Sequence, residues 1–235
     1  MVYVSSDLHG FPLRSFQTLL KSARFTDDDF LYILGDVIDR NGDGGVETLL
    51  WLMEQDNIEH LMGNHESMLL ECDFVFREVT NELLDSLTAD QLGFLQRWLY
   101  NGAEPTMNSI NRLRRKDPEL TLDLLDYLRD LPLYDAVSLP SGDFLLTHAG
   151  LGNFEKGKLL SSYTPHDLLW HRPTLEEAYF DSITTVFGHT PTEYLDAPAG
   201  RMLRTKTWID IDTGAAGGGA PMLLRLDDGK EFYAE

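Results

Sequence analysis

Several apolar runs of this chain end directly in short polar motifs, and this pattern constrains the fold more than any other feature. Over residues 2–62, three such runs alternate with segments of helical spacing, which gives the order strand, helix, strand, helix, strand. That order predicts a mostly parallel sheet covered by helices. Because ligands bind at the carboxyl ends of strands in such sheets, the motifs are expected to lie close together. The five motifs are Asp7-Leu8-His9, Gly35-Asp36-Val37-Ile38-Asp39-Arg40, Gly63-Asn64-His65-Glu66, His148-Ala149-Gly150 and Gly188-His189-Thr190.

The middle of the chain has a different character. Residues 67–131 show helical periodicity and little strand pattern, with leucines recurring at Leu120, Leu124 and Leu128. Strand patterns return in the last third, at 144–147, 184–187, 208–212 and 222–226. We therefore predict an α/β (α+β) fold with two sheets or one large mixed sheet, a helical subdomain at about 67–131, and a single catalytic domain over residues 1–235.

Charge limits the classes of partner. With 19 basic and 39 acidic residues the formal net charge is −20, which repels nucleic acid and anionic lipid. We therefore expect no nucleic-acid and no membrane partner, and no apolar run reaches the roughly 18 residues of a membrane span. Cys72 is the only cysteine and the first residues show no signal pattern, so we expect a cytoplasmic protein.

Asp7 and His9 are two residues apart, so in an extended chain their side chains point to the same side and can share one cation. Asp36 follows the second strand, and a carboxylate has two oxygens that can bridge two cations. Taken alone, each feature has a plainer explanation. An Asp-x-His pair is more often a surface turn, and an aspartate such as Asp36 or Asp39 can cap a helix.

Asn64 and His65 are adjacent, so in an extended chain they point in opposite directions, one toward a metal and the other toward a substrate. His148 and His189 each lie at the end of an apolar run beside a glycine, which allows a close approach of the backbone. A lone buried histidine is usually a core residue. The combination of two such histidines with the other motifs favours metal binding.

As an ordered set, these motifs resemble the phosphoprotein-phosphatase branch of the calcineurin-like metallophosphoesterases, and in particular its bacterial serine/threonine protein phosphatases. The similarity extends from residue 7 to about residue 219. It implies a central β-sandwich flanked by helices and a dinuclear centre, most commonly with manganese, and with iron or zinc as alternatives. Carried over by position, the implied metal ligands are Asp7, His9, Asp36, Asn64, His148 and His189, with Asp36 shared by both metals.

The same resemblance implies the remaining roles. His65 would protonate the leaving group and Asp39 would orient His65, while Arg40 and Arg172 would bind the phosphate. Arg172 is assigned because it follows the apolar-Trp segment at 168–170. Asn101-Gly102, followed by Thr106, is similar to a segment common in bacterial members, without an assigned role.

One position departs from the pattern. The family usually has glycine after the Asp-Arg pair, whereas this chain has Asn41, so the shape of the phosphate loop and the substrate preference stay open.

The implied reaction is hydrolysis of a phosphorylated protein or a small phosphoester by water that two metals activate. One alternative is symmetrical hydrolysis of bis(5'-nucleosyl)-tetraphosphates, whose enzymes typically lack the aspartate corresponding to Asp39. The other is a non-catalytic scaffold that retains the fold.

Overall fold

Two five-stranded sheets organise residues 1–78 and 80–234, the part of the chain that the computed structural model describes. The elements in chain order are β1 (Val2–Ser5), α1 (Leu13–Ser22), β2 (Phe30–Ile33), α2 (Val46–Leu52), β3 (Ile58–His60), α3 (Asn64–Glu71), α4 (Asn81–Ser86), α5 (Ala89–Tyr100), α6 (Glu104–Lys116), α7 (Pro118–Arg129), β4 (Tyr134–Leu139), β5 (Gly142–Thr147), α8 (Pro165–Leu169), β6 (Ile183–Phe187), β7 (Leu203–Arg204), β8 (Trp208–Asp210), β9 (Met222–Arg225) and β10 (Lys230–Tyr233).

Each sheet has a parallel centre. The first has the order β10-β9-β1-β2-β3, and β1, β2 and β3 are parallel. The second has the order β4-β5-β6-β8-β7, and β5, β6 and β8 are parallel. The motif loops follow these parallel strands. The predicted mixed α/β architecture, with two sheets flanked by helices, is confirmed.

Apolar residues of both sheets pack against one another and form the core between them. Val4 of β1 and Leu224 of β9 share this core with Leu146 of β5, Val186 of β6 and Ile209 of β8, and all five are at most 1% exposed. The alternation of side chains along each strand leaves the opposite face of each sheet for helices.

The helices of the middle segment cover the outer face of the first sheet. α7 begins where the Asp117 side chain accepts a hydrogen bond from the Leu120 N–H, with Pro118 in its first turn. Its buried face carries Leu124 and Leu128, which share one apolar cluster with Leu31 of β2. Within residues 1–78 and 80–234, no helix is both long and apolar enough to cross a membrane.

Three strands were not predicted: β4, β7 and β10. All three lie at or beside sheet edges and pair antiparallel, and they are half-buried or exposed, so they lack a continuous apolar run. The strand predicted at 222–226 is therefore not the last one, since β10 follows it and pairs with β9. The glycine-rich stretch 214–219 joins β8 to β9 and therefore passes from the second sheet to the first.

Candidate metal centre

Loops from both sheets meet at Asp36, the residue that follows β2. Its Oδ2 lies 3.5 Å from His9 Nε2, and its Oδ1 lies 3.4 Å from His148 Nε2. In the described part of the chain, two groups of possible metal ligands share Asp36: one with His9 and His65, the other with His148 and His189. Within each group the ligand atoms lie within 4.8 Å of one another, which is close enough to surround one cation.

Asp7 and Asn64 complete the cluster. Asp7 Oδ1 lies 3.7 Å from His9 Nε2. Asn64 Oδ1 lies 2.9 Å from His148 Nε2 and 2.8 Å from His189 Nδ1. All six residues predicted as metal ligands are thus brought together, and each is buried.

The hydrogen bonds of the imidazoles show that this arrangement fits cations. The carbonyls of Ile38 and Leu34 can only accept, so Nδ1 of His9 and Nδ1 of His148 are donors, at 3.0 Å and 2.8 Å. The Nε2 atoms are then acceptors, and they face carboxylate and amide oxygens. Buried acceptors that face one another need a cation between them. In the described part of the chain, the buried Asp7 Oδ1 also has no hydrogen-bond partner. This set of nitrogen and oxygen ligands suits manganese, iron or zinc.

Burial controls the protonation of the cluster. It raises the pKa of Asp36 and of Asp7 well above the usual range, and the charges of Glu66 and Asp212 respectively add to this rise. Burial also lowers the pKa of His148 to about 3. The histidines are therefore neutral, as metal ligands must be, and the crowded carboxylates are what divalent cations would stabilise.

The backbone of these loops is not extended, which corrects the geometric premise used for Asp7 and His9. Their φ angles are 52° and 43°, so the two side chains converge through left-handed backbone rather than through strand alternation. Six of the nine non-glycine residues with positive φ in the described ranges belong to the motifs: Asp7, His9, Asp36, Asp39, Arg40 and His189. Strain of this kind concentrates at functional sites, where surrounding contacts must hold it.

Glu66 supplies such contacts. Its buried carboxylate accepts hydrogen bonds from the backbone N–H groups of Asp36, Val37 and Gly63, at 2.9 Å, 2.8 Å and 3.0 Å. These bonds connect the loop after β2 to the start of α3. No role was predicted for Glu66, because Asp36 and Val37 lie 30 and 29 residues away from it in the sequence.

Asn64 and His65 are also not extended, since both lie in the first turn of α3. They diverge because successive helical side chains are about 100° apart. Asn64 faces the histidines, whereas His65 Nδ1 lies 2.6 Å from Asp39 Oδ2. Burial raises the pKa of Asp39 to about 7 and lowers that of His65 to about 3. One proton shared between these two groups satisfies the contact at neutral pH.

A cavity of about 260 Å³ opens beside the cluster, lined by His65, both predicted arginines, Arg40 and Arg172, and the aromatic Trp170 and Tyr194. Both arginines are exposed. A second cavity of about 400 Å³ adjoins it and shares Glu193, Gly214 and two further residues in its lining. Positive side chains thus border an otherwise acidic site.

Two carboxylates at the end of β8 were missed. Asp212 lines the cavity, and burial raises its pKa to about 6. Asp210 is fully buried, and in the ranges that the structure describes its Oδ2 has no partner. The signal was present at Asp212, which ends the predicted strand at 208–212 as the ligands end the other apolar runs, whereas Asp210 lies inside that run.

The fold and the clustered ligands define a metallophosphoesterase. Residues 1–210 match the family model described as calcineurin-like phosphoesterase, and the chain belongs to this family. Family membership implies metal-dependent phosphoester hydrolysis. 

Among curated proteins, a symmetrical bis(5'-nucleosyl)-tetraphosphatase of Haemophilus ducreyi is 25% identical over 199 residues, which cover 83% of this chain. The matched region spans only 60% of that relative's length.

Solved structures share the fold. A protein described provisionally as a diadenosine tetraphosphatase aligns with a TM-score of 0.64 at 18% identity, over 98% of this chain and 90% of that one. A serine/threonine phosphatase from Saccharomyces cerevisiae aligns with a TM-score of 0.53 at 14% identity, over 100% and 80%. A cold-active protein-tyrosine phosphatase of a Shewanella species gives 0.52 at 18%, over 100% and 80%.

Proposed function

We propose that this chain is a serine/threonine protein phosphatase that hydrolyses phosphomonoesters with two divalent cations, most readily Mn²⁺. The observation that carries the proposal is the contact of 2.6 Å between His65 Nδ1 and Asp39 Oδ2, beside the clustered metal ligands and the arginines. A paired histidine of this kind serves a leaving group that needs a proton, such as the serine alkoxide of a phosphoprotein.

The proposed metal ligands form two sets with Asp36 in common. The first set is Asp7, His9 and Asp36, and the second is Asp36, Asn64, His148 and His189. Two bound divalent cations would supply Lewis acidity for the phosphate and for a nucleophilic water.

The protein's own side chains bind the phosphate and supply the proton for the leaving group. Arg40 and Arg172 bind the phosphate oxygens through charge-assisted hydrogen bonds and place the phosphorus for attack. A water oxygen forms a bond to phosphorus as the bond between phosphorus and the leaving oxygen breaks. The leaving oxygen takes a proton from His65 Nε2. The attacking water loses a proton to solvent, and solvent returns a proton to His65 before the next turnover. Asp39 holds Nδ1 and thereby fixes the direction of Nε2. The dianionic phosphate favours the protonated imidazole against the effect of burial.

Symmetrical hydrolysis of dinucleoside tetraphosphates is the second candidate. The Haemophilus ducreyi relative carries that name, and the adjoining cavity of about 400 Å³ offers room beyond the phosphate site. The presence of Asp39 favours the protein phosphatase. The leaving group of a dinucleoside tetraphosphate is a nucleotide phosphate, which needs a proton donor less than the alkoxide of a phosphoserine does.

A direct comparison of substrates tests the proposal. Manganese-loaded protein is assayed with a phosphoserine peptide and with a dinucleoside tetraphosphate. We expect a higher kcat/KM for the peptide, and His65→Asn should lower its hydrolysis by about 10²–10⁴-fold. Preference for the tetraphosphate would replace the first candidate with the second, and full activity of His65→Asn would refute the role of His65.

A further inference from the structure

Among the described residues, the Asp39 carboxylate has three hydrogen-bond partners, and two of them belong to the helical segment rather than to the metal loops. Thr106 Oγ1 donates to Oδ1 at 2.6 Å, and Trp98 Nε1 donates to Oδ2 at 2.8 Å. The third contact is His65 Nδ1 on Oδ2. Asp39, Trp98 and Thr106 are each 0% exposed, so water does not substitute for either donor.

The backbone connects the same two regions. The Asp39 N–H donates to Thr106 Oγ1 at 3.0 Å, and the Arg40 N–H donates to the Gly102 carbonyl at 2.9 Å. A Cβ on Gly44 would lie only 2.2 Å from the Thr106 nitrogen, so this position has room for glycine alone. Residues 98–106, the end of α5 and the start of α6, therefore contact the loop of Asp39 and Arg40 at several points.

These contacts determine how the carboxylate is oriented. Thr106 on one oxygen and Trp98 on the other fix the plane of the group, which leaves one direction on Oδ2 for His65. Without either donor, a buried acceptor would lose a partner, and the carboxylate would rotate to recover it. Since His65 is oriented by Oδ2, rotation of Asp39 would move Nε2 away from the leaving oxygen. Misplacement by about 1 Å is enough to cost on the order of 10² in rate.

We propose that Trp98 and Thr106 are positioning residues for the proton donor: they orient the Asp39 carboxylate, which in turn orients His65. The inference rests on the proposed phosphatase function of the same site. It gives a role to the segment Asn101-Gly102…Thr106, and it makes the helical segment part of the acid catalyst rather than only a cover for the sheet.

The first test compares two leaving groups in the same preparation. A phosphoserine peptide needs protonation of its leaving oxygen, whereas 4-nitrophenyl phosphate does not. Thr106→Val and Trp98→Phe each remove one donor, and each should lower the kcat ratio of peptide to aryl phosphate by about 10–100-fold. Thr106→Ser keeps the hydroxyl and should keep the ratio. The ratio does not depend on the folded fraction, so partial unfolding of a variant cannot mimic the effect.

Two matched control variants carry the same two substitutions at buried threonine and tryptophan residues away from Asp39. Thr121→Val removes a buried hydroxyl that donates to the Asp117 carbonyl, and Trp208→Phe removes an indole N–H that donates to the Glu177 carbonyl. Neither should change the ratio. An unchanged ratio in Thr106→Val and Trp98→Phe, with a wild type that hydrolyses both substrates, would overturn the inference.

The second test needs no metal and no activity. Nitrogen-15 NMR of the metal-free protein reports the protonation of the two His65 ring nitrogens. We expect a single state with the proton on Nδ1 in the wild type, and mixed or shifted signals in Thr106→Val and Trp98→Phe. Identical His65 signals in all three proteins would overturn the inference. If the wild type hydrolyses neither substrate, the phosphatase proposal fails and this measurement decides the positioning role separately.

Discussion

Gly188, the residue before His189, is where a single methyl group should disturb the metal centre most directly. A Cβ at this position would lie 2.0 Å from Asp7 Oδ2 and 2.3 Å from Ser6 Oγ, whereas real Cβ contacts essentially never fall below 3.0 Å. The carboxylate must therefore move by about 1 Å. It is 1% exposed, and its Oδ2 already accepts hydrogen bonds from Ser6 Oγ and the His189 N–H, so free space is lacking.

Gly188→Ala should weaken both stability and metal binding. Overpacking costs about 1–3 kcal/mol, and the reduced entropy of the unfolded chain returns only about 0.4–1 kcal/mol, so a net destabilisation is expected. Metal–ligand distances tolerate about 0.2 Å, so a shift of about 1 Å should remove Asp7 from its cation.

Urea unfolding of the metal-free protein and calorimetric titration with Mn²⁺ measure these two effects. Gly93→Ala is the matched control, because nothing lies within 4 Å of its added Cβ and its position within α5 favours alanine. Two Mn²⁺ bound by Gly188→Ala with the wild-type affinity would refute the reasoning, since it would mean that the contact at Asp7 can relax without cost.

Three further changes test other parts of the site. Asp36→Asn should bind fewer than two metals per chain and lose nearly all hydrolysis, because one shared carboxylate serves both ligand groups; metal analysis that finds two tightly bound ions would contradict the bridging role. Metal binding should release protons and strengthen as pH rises, because burial raises the pKa of Asp7 and Asp36 while cations bind the deprotonated carboxylates. Calorimetry in two buffers of different ionisation enthalpy would detect the released protons. An identical heat of binding in both buffers would count against this release. Asn41→Ala removes two hydrogen bonds of 3.0 Å, which Nδ2 donates to the His9 and Ala215 carbonyls. It should lower the free energy of unfolding by about 1–2 kcal/mol and change KM while both metals stay bound. An unchanged KM would show that this loop does not select the substrate.

The central strands of each sheet could be predicted because their signal is local, and a parallel arrangement was predicted for β1, β2 and β3. An apolar run followed directly by Asp, Asn or His marks both a buried strand and the ligand at its carboxyl end. Edge strands such as β4 and β10 pair with one neighbouring strand and are partly exposed to solvent. They therefore carry no continuous apolar run, and they were not predicted.

Contacts between residues that are far apart in the sequence could not be predicted from it. Trp98 is 59 residues and Thr106 67 residues from Asp39, so no spacing rule connects them. The left-handed backbone at Asp7 and His9 was also not foreseen, because each residue type favours φ < 0 and only the folded loops hold the alternative. The residue types of the ligands could be read from sequence, but the way they converge could not.

Phosphate release during a manganese titration tests most directly whether the clustered side chains form a dinuclear hydrolytic centre. Metal-free protein is titrated with Mn²⁺ in the presence of a phosphoserine peptide, and released phosphate is measured against bound metal. The rate should rise to a plateau at two Mn²⁺ per chain. Full activity at one Mn²⁺, or the absence of hydrolysis when both sites are filled, would contradict the proposed centre.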